Sequence, residues 1–111
     1  ILGACNLGDI GQMFSDKSKK FKNIRSTILL KQVVEKIKSK GFFINNIDLN
    51  IITQTPKVKN LKNKMIDNIA KLCDISKNQI NIKGKTTEKL GVIGKEKAIA
   101  CEVICSVIKY D

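Results

Sequence analysis

Histidine is absent from this 111-residue chain, and so is tryptophan. Without histidine there is no Ser–His or Cys–His catalytic pair, and no imidazole to hold a metal, anywhere in the stretch. Arginine occurs once, at Arg25, against twenty lysines, and aromatic residues make up only 5%. A nucleic-acid surface interleaves arginine with stacking aromatics on one basic face. Here the lysines are scattered over nearly every segment, so a nucleic-acid partner is not expected. The formal charge of +11 reads first as solvated surface, and second as a field that attracts a multiply phosphorylated ligand. No apolar run approaches the ~20 residues of a membrane span, so no membrane partner is expected either. No two of the four cysteines stand in a C-x-x-C pair. Cys101 and Cys105 share one face of a predicted strand about 13 Å apart at ~3.3 Å per residue. That is too far for one disulfide or one metal, so buried free thiols in a reducing compartment are expected, as for Cys5 and Cys73.

What is present suffices for a core. Hydrophobic residues make up 42%, and the length fits one domain over residues 1–111. The chain opens at Ile1-Leu2-Gly3-Ala4 without methionine. That opening reads as the tail of a helix through Leu7, with a front portion expected upstream. Gly8-Asp9-Ile10-Gly11 is a predicted tight turn, where an aspartate serves more often as turn former or cap than as ligand. Ser26 is a candidate N-cap for a helix whose apolar residues Ile28, Leu29, Leu30, Val33, Val34 and Ile37 share one face, closed by Gly41. That helix reads as structural. Phe42 to Thr53 reads as a long strand with Ile47, Leu49 and Ile51 on one side. Pro56, the only proline, must take the chain out of the sheet. Val58, Leu61, Met65, Ile69 and Leu72 form a second helical stripe. Ser76 to Gln79 matches a capping box. Ile80 to Lys83 reads as a strand, and Ile99 to Tyr110 as another, apolar on both faces. Helices on one face of a mixed sheet make an α+β two-layer sandwich, and the two-sided last strand calls for cover from another subunit.

The chemistry concentrates after Lys83, in Gly84-Lys85-Thr86-Thr87-Glu88-Lys89-Leu90-Gly91. A strand that stops there presents backbone N–H groups, two hydroxyls, an ammonium and a carboxylate together. That set suits a phosphate and a divalent cation bridging to it; an ordinary strand-to-loop turn explains the local sequence equally well. The P-loop spacing is absent.

The order of short motifs along the chain is more specific. Leu7-Gly8-Asp9-Ile10-Gly11, Phe14-Ser15-Asp16, Phe21-Lys22, Ile51-Ile52-Thr53-Gln54-Thr55-Pro56-Lys57, Thr86-Thr87-Glu88-Lys89-Leu90-Gly91 and Ile99-Ala100-Cys101-Glu102 follow one another. In this order they closely resemble the 2-C-methyl-D-erythritol 2,4-cyclodiphosphate synthases of non-mevalonate isoprenoid biosynthesis. The resemblance runs from Ile1 to Lys109 and covers roughly the C-terminal two thirds of that family's length.

The resemblance implies a lyase that turns 4-diphosphocytidyl-2-C-methyl-D-erythritol 2-phosphate into the cyclic diphosphate and CMP. It implies a homotrimer with active sites between neighbours. Asp9, Ile10, Gly11, Phe14 and Asp16 would hold the methylerythritol phosphate. Ser15 stands where the family commonly has proline. Thr53, Gln54, Thr55, Pro56, Lys57, Val58 and Lys59 would form the cytidine pocket, largely through backbone groups. Lys85, Thr86 and Thr87 would line the diphosphate, with Thr86 the catalytic residue and Lys85 replacing a usual threonine. Glu88 would hold magnesium or manganese. Val92 and Lys95 stand where the family has an aromatic and an arginine lining the trimer cavity, a candidate site for an isoprenoid diphosphate. The family's zinc ligands would lie before Ile1, so the chain by itself is expected to be inactive, and the rival reading is an inactive structural fragment of the same fold. A plastid stroma of apicoplast type or a bacterial cytoplasm is the expected compartment.

Overall fold

The helical spacing from Ile28 to Ile37 is realised in the computed structural model, which describes residues 1–15 and 17–110. Counting only the longer elements, these are α1 (Ile10–Met13), α2 (Ser26–Ser39), β1 (Phe42–Ile52), α3 (Lys62–Cys73), β2 (Ile80–Lys85), α4 (Gly91–Gly94) and β3 (Ala100–Lys109). The strands form one mixed three-stranded sheet in the order β2–β1–β3, with helices packed on it. This is the expected α+β class. The chain divides into two compact units, Ile1–Asn45 with Cys105–Asp111, and Asn46–Ile104.

In the first unit, α2 buries Val33, Val34 and Ile37, and Ile37 is wholly inaccessible. Ile28 stays exposed at the end of the stripe. The expected cap at Ser26 is displaced by one residue. Arg25 holds the extended cap position without a side-chain bond, and Ser26 is the first helical residue. The far end follows expectation: Gly41 turns out of the helix at φ +84. A side chain there would also meet the Tyr110 carbonyl oxygen at 2.8 Å. The opening residues make a single 3₁₀ turn, Gly3–Cys5, rather than an α-helix tail, because Asn6 goes left-handed and ends it. All four cysteines are free thiols. Cys5 is buried, and that burial pushes its thiol pKa up. Cys101, expected inside, is exposed.

In the second unit, β1 runs parallel to β2 in the register Ile47↔Ile80 to Ile52↔Lys85. Parallel neighbours need a crossover, and α3 supplies it. Ile51, Val58, Ala70, Ile80 and Ile82 form the core, with Met65, Ile66 and Ile69 of α3 against them. Leu61, assigned to the buried stripe from its spacing, is 37% exposed; it precedes α3 as its N-cap and so lies off the packed face. Cys73, at the end of α3, is 1% exposed. The capping box is present, with Gln79 Oε1 accepting from the Ser76 N–H at 2.8 Å.

The other side of the β1–β2 pair is polar. Asp48 accepts from Lys83 Nζ at 2.9 Å and from Asn81 Nδ2 at 3.0 Å. Those bonds, Lys83 first, hold its carboxyl below the usual carboxylate range. The folded state therefore favours the charged form, and the contribution is present above the ordinary carboxylate pKa and lost as pH falls through the depressed one. Asp48→Asn should lower the unfolding midpoint slightly at pH 7. The gap to the parent should close on acidification below about pH 4, the ordinary carboxylate value, which thermal melts from pH 7 to pH 2.5 would show. A gap that is constant with pH would mean that packing, not charge, sets it.

β3 is tied to β1 in the first unit by Asn45 Nδ2 to Ser106 Oγ at 3.0 Å and by the Tyr110 N–H to the Gly41 carbonyl at 2.9 Å. Elsewhere it carries its apolar side chains in the open. Val103 is 49% exposed, Ile104 78% and Ile108 42%.

Candidate functional site

β1 and β2 end side by side, and the ladder continues one step beyond β1. The Thr53 N–H donates to the Lys85 carbonyl at 2.9 Å. Thr53 is buried, and its hydroxyl donates to the Thr55 carbonyl, tightening the turn that carries the cis Thr55–Pro56 bond. Beyond that turn, Val58 packs so closely on Gly84 that a Cβ there would lie 2.9 Å from the Val58 Cβ. Between the two strand ends opens a pocket of about 170 Å³. Thr53, Gln54, Pro56, Lys57, Val58 and Lys59 form one wall, Gly84, Lys85 and Thr86 the other, and Lys62 of α3 joins them.

The structure thus brings two motifs, separated by some thirty residues of chain, onto one cavity. Among the described residues, four lysines and no carboxylate line it. An anion entering it meets a field of one sign. Lys62 was not singled out from the sequence. Gly84 was legible only as part of the strand end; Lys62 sits one helical turn beyond Val58, a spacing that places the two together only once the helical path from 58 to 62 is known.

Thr87 and Glu88 do not line the pocket; they continue from Thr86 into a tight turn. Thr86 Oγ1 accepts from the Glu88 N–H at 3.2 Å. Thr87 Oγ1 donates to the Leu90 carbonyl at 2.6 Å. Gln54 Oε1 reaches across and accepts from the Lys89 N–H at 3.0 Å. Glu88, Lys89 and Gly91 are all left-handed, at φ +52, +68 and +68. Two consecutive non-glycine residues in that region are strained unless their surroundings hold them there. Glu88 is exposed, and among the described residues its carboxylate has no ion-pair partner. One carboxylate beside the pocket could contribute a single oxygen ligand to a hard divalent cation, which would need further oxygens from elsewhere. For zinc the residues do not fit: no three His, Cys, Asp or Glu side chains come together among the described residues.

Val92 lies on α4, and Lys95 caps that helix; both are exposed and neither lines the pocket. Thr55 stands in the turn without reaching the cavity.

The first unit carries the other motif group. Asp9 caps α1: its Oδ1 accepts from the Gln12 N–H at 2.8 Å, while Gln12 Oε1 accepts from the Asp9 N–H at 3.1 Å. The structural role of this aspartate is therefore real, and it occupies one carboxylate oxygen. Asp9 and Ile10 also line a cleft of about 400 Å³, closed on one side by Leu29, Leu30 and Val33 of α2. That helix, read from its period as structural only, thus also supplies a cleft wall. Gly11 follows within α1, and Phe14, buried at 8%, meets Phe21 edge-on at 5.2 Å. Asp16 lies outside the described residues.

Known proteins resemble this chain in sequence and fold. The chain is 68% identical over all its 111 residues to the bifunctional enzyme IspD/IspF of Pelagibacter ubique (strain HTCC1062), and covers 30% of that protein. It is 48% identical over 101 residues, 91% of the chain, to the apicoplast 2-C-methyl-D-erythritol 2,4-cyclodiphosphate synthase of Plasmodium falciparum (isolate 3D7), covering 42% of it. The solved structure of Plasmodium falciparum IspF in complex with CDP superposes with a TM-score of 0.85 at 41% identity, over 99% of this chain and 65% of that one. The chain spans about 30% of the length of the bifunctional relatives it matches. The YgbB family model matches residues 1–108, and the chain belongs to the YgbB family.

Proposed function

We propose that the protein to which this chain belongs converts 4-diphosphocytidyl-2-C-methyl-D-erythritol 2-phosphate to 2-C-methyl-D-erythritol 2,4-cyclodiphosphate and CMP, in isoprenoid precursor biosynthesis. One observation carries the proposal. The Pro56 loop and the end of β2, separate in sequence, close on a single cation-lined pocket, and a relative with a similar fold is known as a CDP complex.

The substrate supplies its own nucleophile. An oxygen of the 2-phosphate bonds to the β-phosphorus, the bond from that phosphorus to the bridging oxygen breaks, and CMP leaves with the electron pair. The protein's work is placement and charge neutralisation. Backbone groups from Thr53 to Lys59 receive the cytidine. Lys57, Lys59 and Lys85 balance the diphosphate. Thr86, whose oxygen already accepts from the Glu88 N–H, keeps its O–H free to donate to a phosphoryl oxygen as charge develops there. Thr87 fixes the turn. Glu88 would hold a divalent cation, which supplies Lewis-acid neutralisation of the diphosphate. Asp9, Ile10, Gly11, Phe14 and Asp16 receive the methylerythritol phosphate. Incubating the full-length protein with substrate and magnesium should give the cyclic diphosphate and CMP in equal amounts by ³¹P NMR. Intact substrate after incubation would overturn the reading.

We propose further that the protein assembles as a homotrimer through β3. Three large apolar side chains standing open on one strand need cover, and a second copy of the same surface supplies it without a separate partner. Ile104→Lys should shift the light-scattering mass of the full-length protein from three chains toward one. A parent protein that scatters as a stable monomer at micromolar concentration would overturn the assembly. Relatives come from bacteria and from an apicoplast-bearing organism, and either a bacterial cytoplasm or a plastid stroma suits the activity.

A further inference from the structure

We infer that Gln54 is a positioning residue: its side chain locks the turn that carries Thr86 and Glu88 to the loop that receives the nucleotide base. The inference rests on reading the pocket as a nucleotide site, and it adds a role for a side chain in a loop otherwise used through its backbone.

The geometry is specific. Gln54 Oε1 accepts from the Lys89 N–H at 3.0 Å, a bond between residues 35 apart in sequence. The other hydrogen bonds of the turn are internal to it: Glu88 N–H to Thr86 Oγ1, Leu90 N–H to the Thr87 carbonyl, and Thr87 Oγ1 to the Leu90 carbonyl. Internal bonds set the shape of a turn without fixing where it sits. The bond from Gln54 fixes that. It holds a residue at φ +68, directly after Glu88 at φ +52, where a non-glycine backbone is disfavoured and persists only under outside constraint. Gln54 itself is half-buried and lines the pocket. Its neighbour Thr53 is bonded through its N–H to Lys85, at the start of the same segment. One loop therefore grips both ends of the Lys85–Lys89 segment, at Lys85 through backbone and at Lys89 through the Gln54 amide. A base seated against this loop and a phosphoryl group seated against Thr86 are then held in one register.

The test separates positioning from ligand contact. Gln54→Met keeps the length of the side chain and removes the acceptor; Gln54→Asn keeps an acceptor one methylene too short, and serves where the methionine variant folds poorly. In the full-length protein, amide hydrogen exchange at Lys89 should speed up at least tenfold in either variant, and turnover should fall on the order of tenfold, the size of effect that displacement of a reacting group produces. The dissociation constant for CDP should rise by clearly less than turnover falls, since the loop meets the base through backbone groups that the substitution keeps. Gln54→Glu, which retains an acceptor at full length, should recover slow exchange at Lys89. Turnover within twofold of the parent in Gln54→Met would overturn the inference, as would CDP affinity falling in step with turnover. A parent protein that fails to bind CDP at all has a different signature: it removes the nucleotide reading itself, and this inference with it.

Discussion

Gly94→Ala should cut turnover by on the order of a hundredfold, because it moves the turn proposed to place Thr86 and Glu88. Gly94 closes α4 and is buried against Lys89. A methyl group built there would lie 2.1 Å from the Lys89 carbonyl carbon and 2.7 Å from both its Cα and its oxygen. These are backbone atoms, so no side-chain rotation relieves the contact, and Lys89 must move. Lys89 carries the N–H held by Gln54 and directly follows Glu88. Gly91→Ala is the matched control. Gly91 is left-handed at φ +68, but nothing lies within 4 Å of its missing Cβ. Its cost is conformational only, about 1 kcal/mol, and its geometry passes little strain to Glu88. Steady-state kinetics and thermal unfolding of the two variants in the full-length protein would check this. Equal loss in both would show that the close approach at Gly94 is not what places the turn.

What the sequence made legible follows from how local each determinant is. The α2 stripe, Gly41 at its end, the capping box at Ser76 to Gln79 and the termination of β1 before Pro56 depend on residues within one or two turns of each other, and all are found. The misses are of another kind. Ser26 has the side chain of a cap, yet Arg25 takes that position; the preference of serine for caps is a few tenths to about 2 kcal/mol, small enough for tertiary packing to override. Leu61 fits the helical period but precedes α3, so its side chain escapes the core. In β1 the alternation slips at Asn45 and Asn46, both exposed between buried Ile44 and Ile47. A strict period of two extended back from Ile47, Leu49 and Ile51 puts Asn45 inside and Ile44 outside, the reverse of what is found. For the candidate site, the motifs located both walls of the pocket. They did not give Lys62 or the bond from Gln54 to Lys89, because each of those depends on where the β1–β2 pairing places the two loops. Asp9 shows a limit of a different sort. One carboxylate both caps α1 and lines the cleft, so capping does not keep that residue away from a ligand's reach.

Glu88→Gln should leave folding and assembly unchanged and remove most turnover. The substitution keeps the size and shape of the side chain. Glu88 is exposed and, among the described residues, has no ion-pair partner, so folding loses no ion pair with it. The hydrogen bond that orders its backbone runs from its N–H to Thr86 Oγ1 and does not involve the side chain. A surface carboxylate whose role was only to pair with a nearby lysine would contribute ~1 kcal/mol or less, and its loss would hardly register in kinetics. A carboxylate that holds the cation neutralising a reacting diphosphate is different in kind. Four lysines already line the pocket, but an exposed ammonium is mobile and strongly hydrated, whereas a divalent cation held by Glu88 would supply a more concentrated positive charge to the diphosphate. Loss of a preorganised charge of that sort costs on the order of 10²–10³ in rate. Two further readouts bind the interpretation. CDP binding measured without divalent metal should be the same in Glu88→Gln and parent, since the pocket is intact. Manganese should strengthen CDP binding by the parent and leave that of the variant unchanged, and excess magnesium or manganese should restore little turnover. A change in turnover of less than about fivefold, an effect that a surface ion pair of ~1 kcal/mol can account for, would return Glu88 to a structural role and take the second metal out of the mechanism.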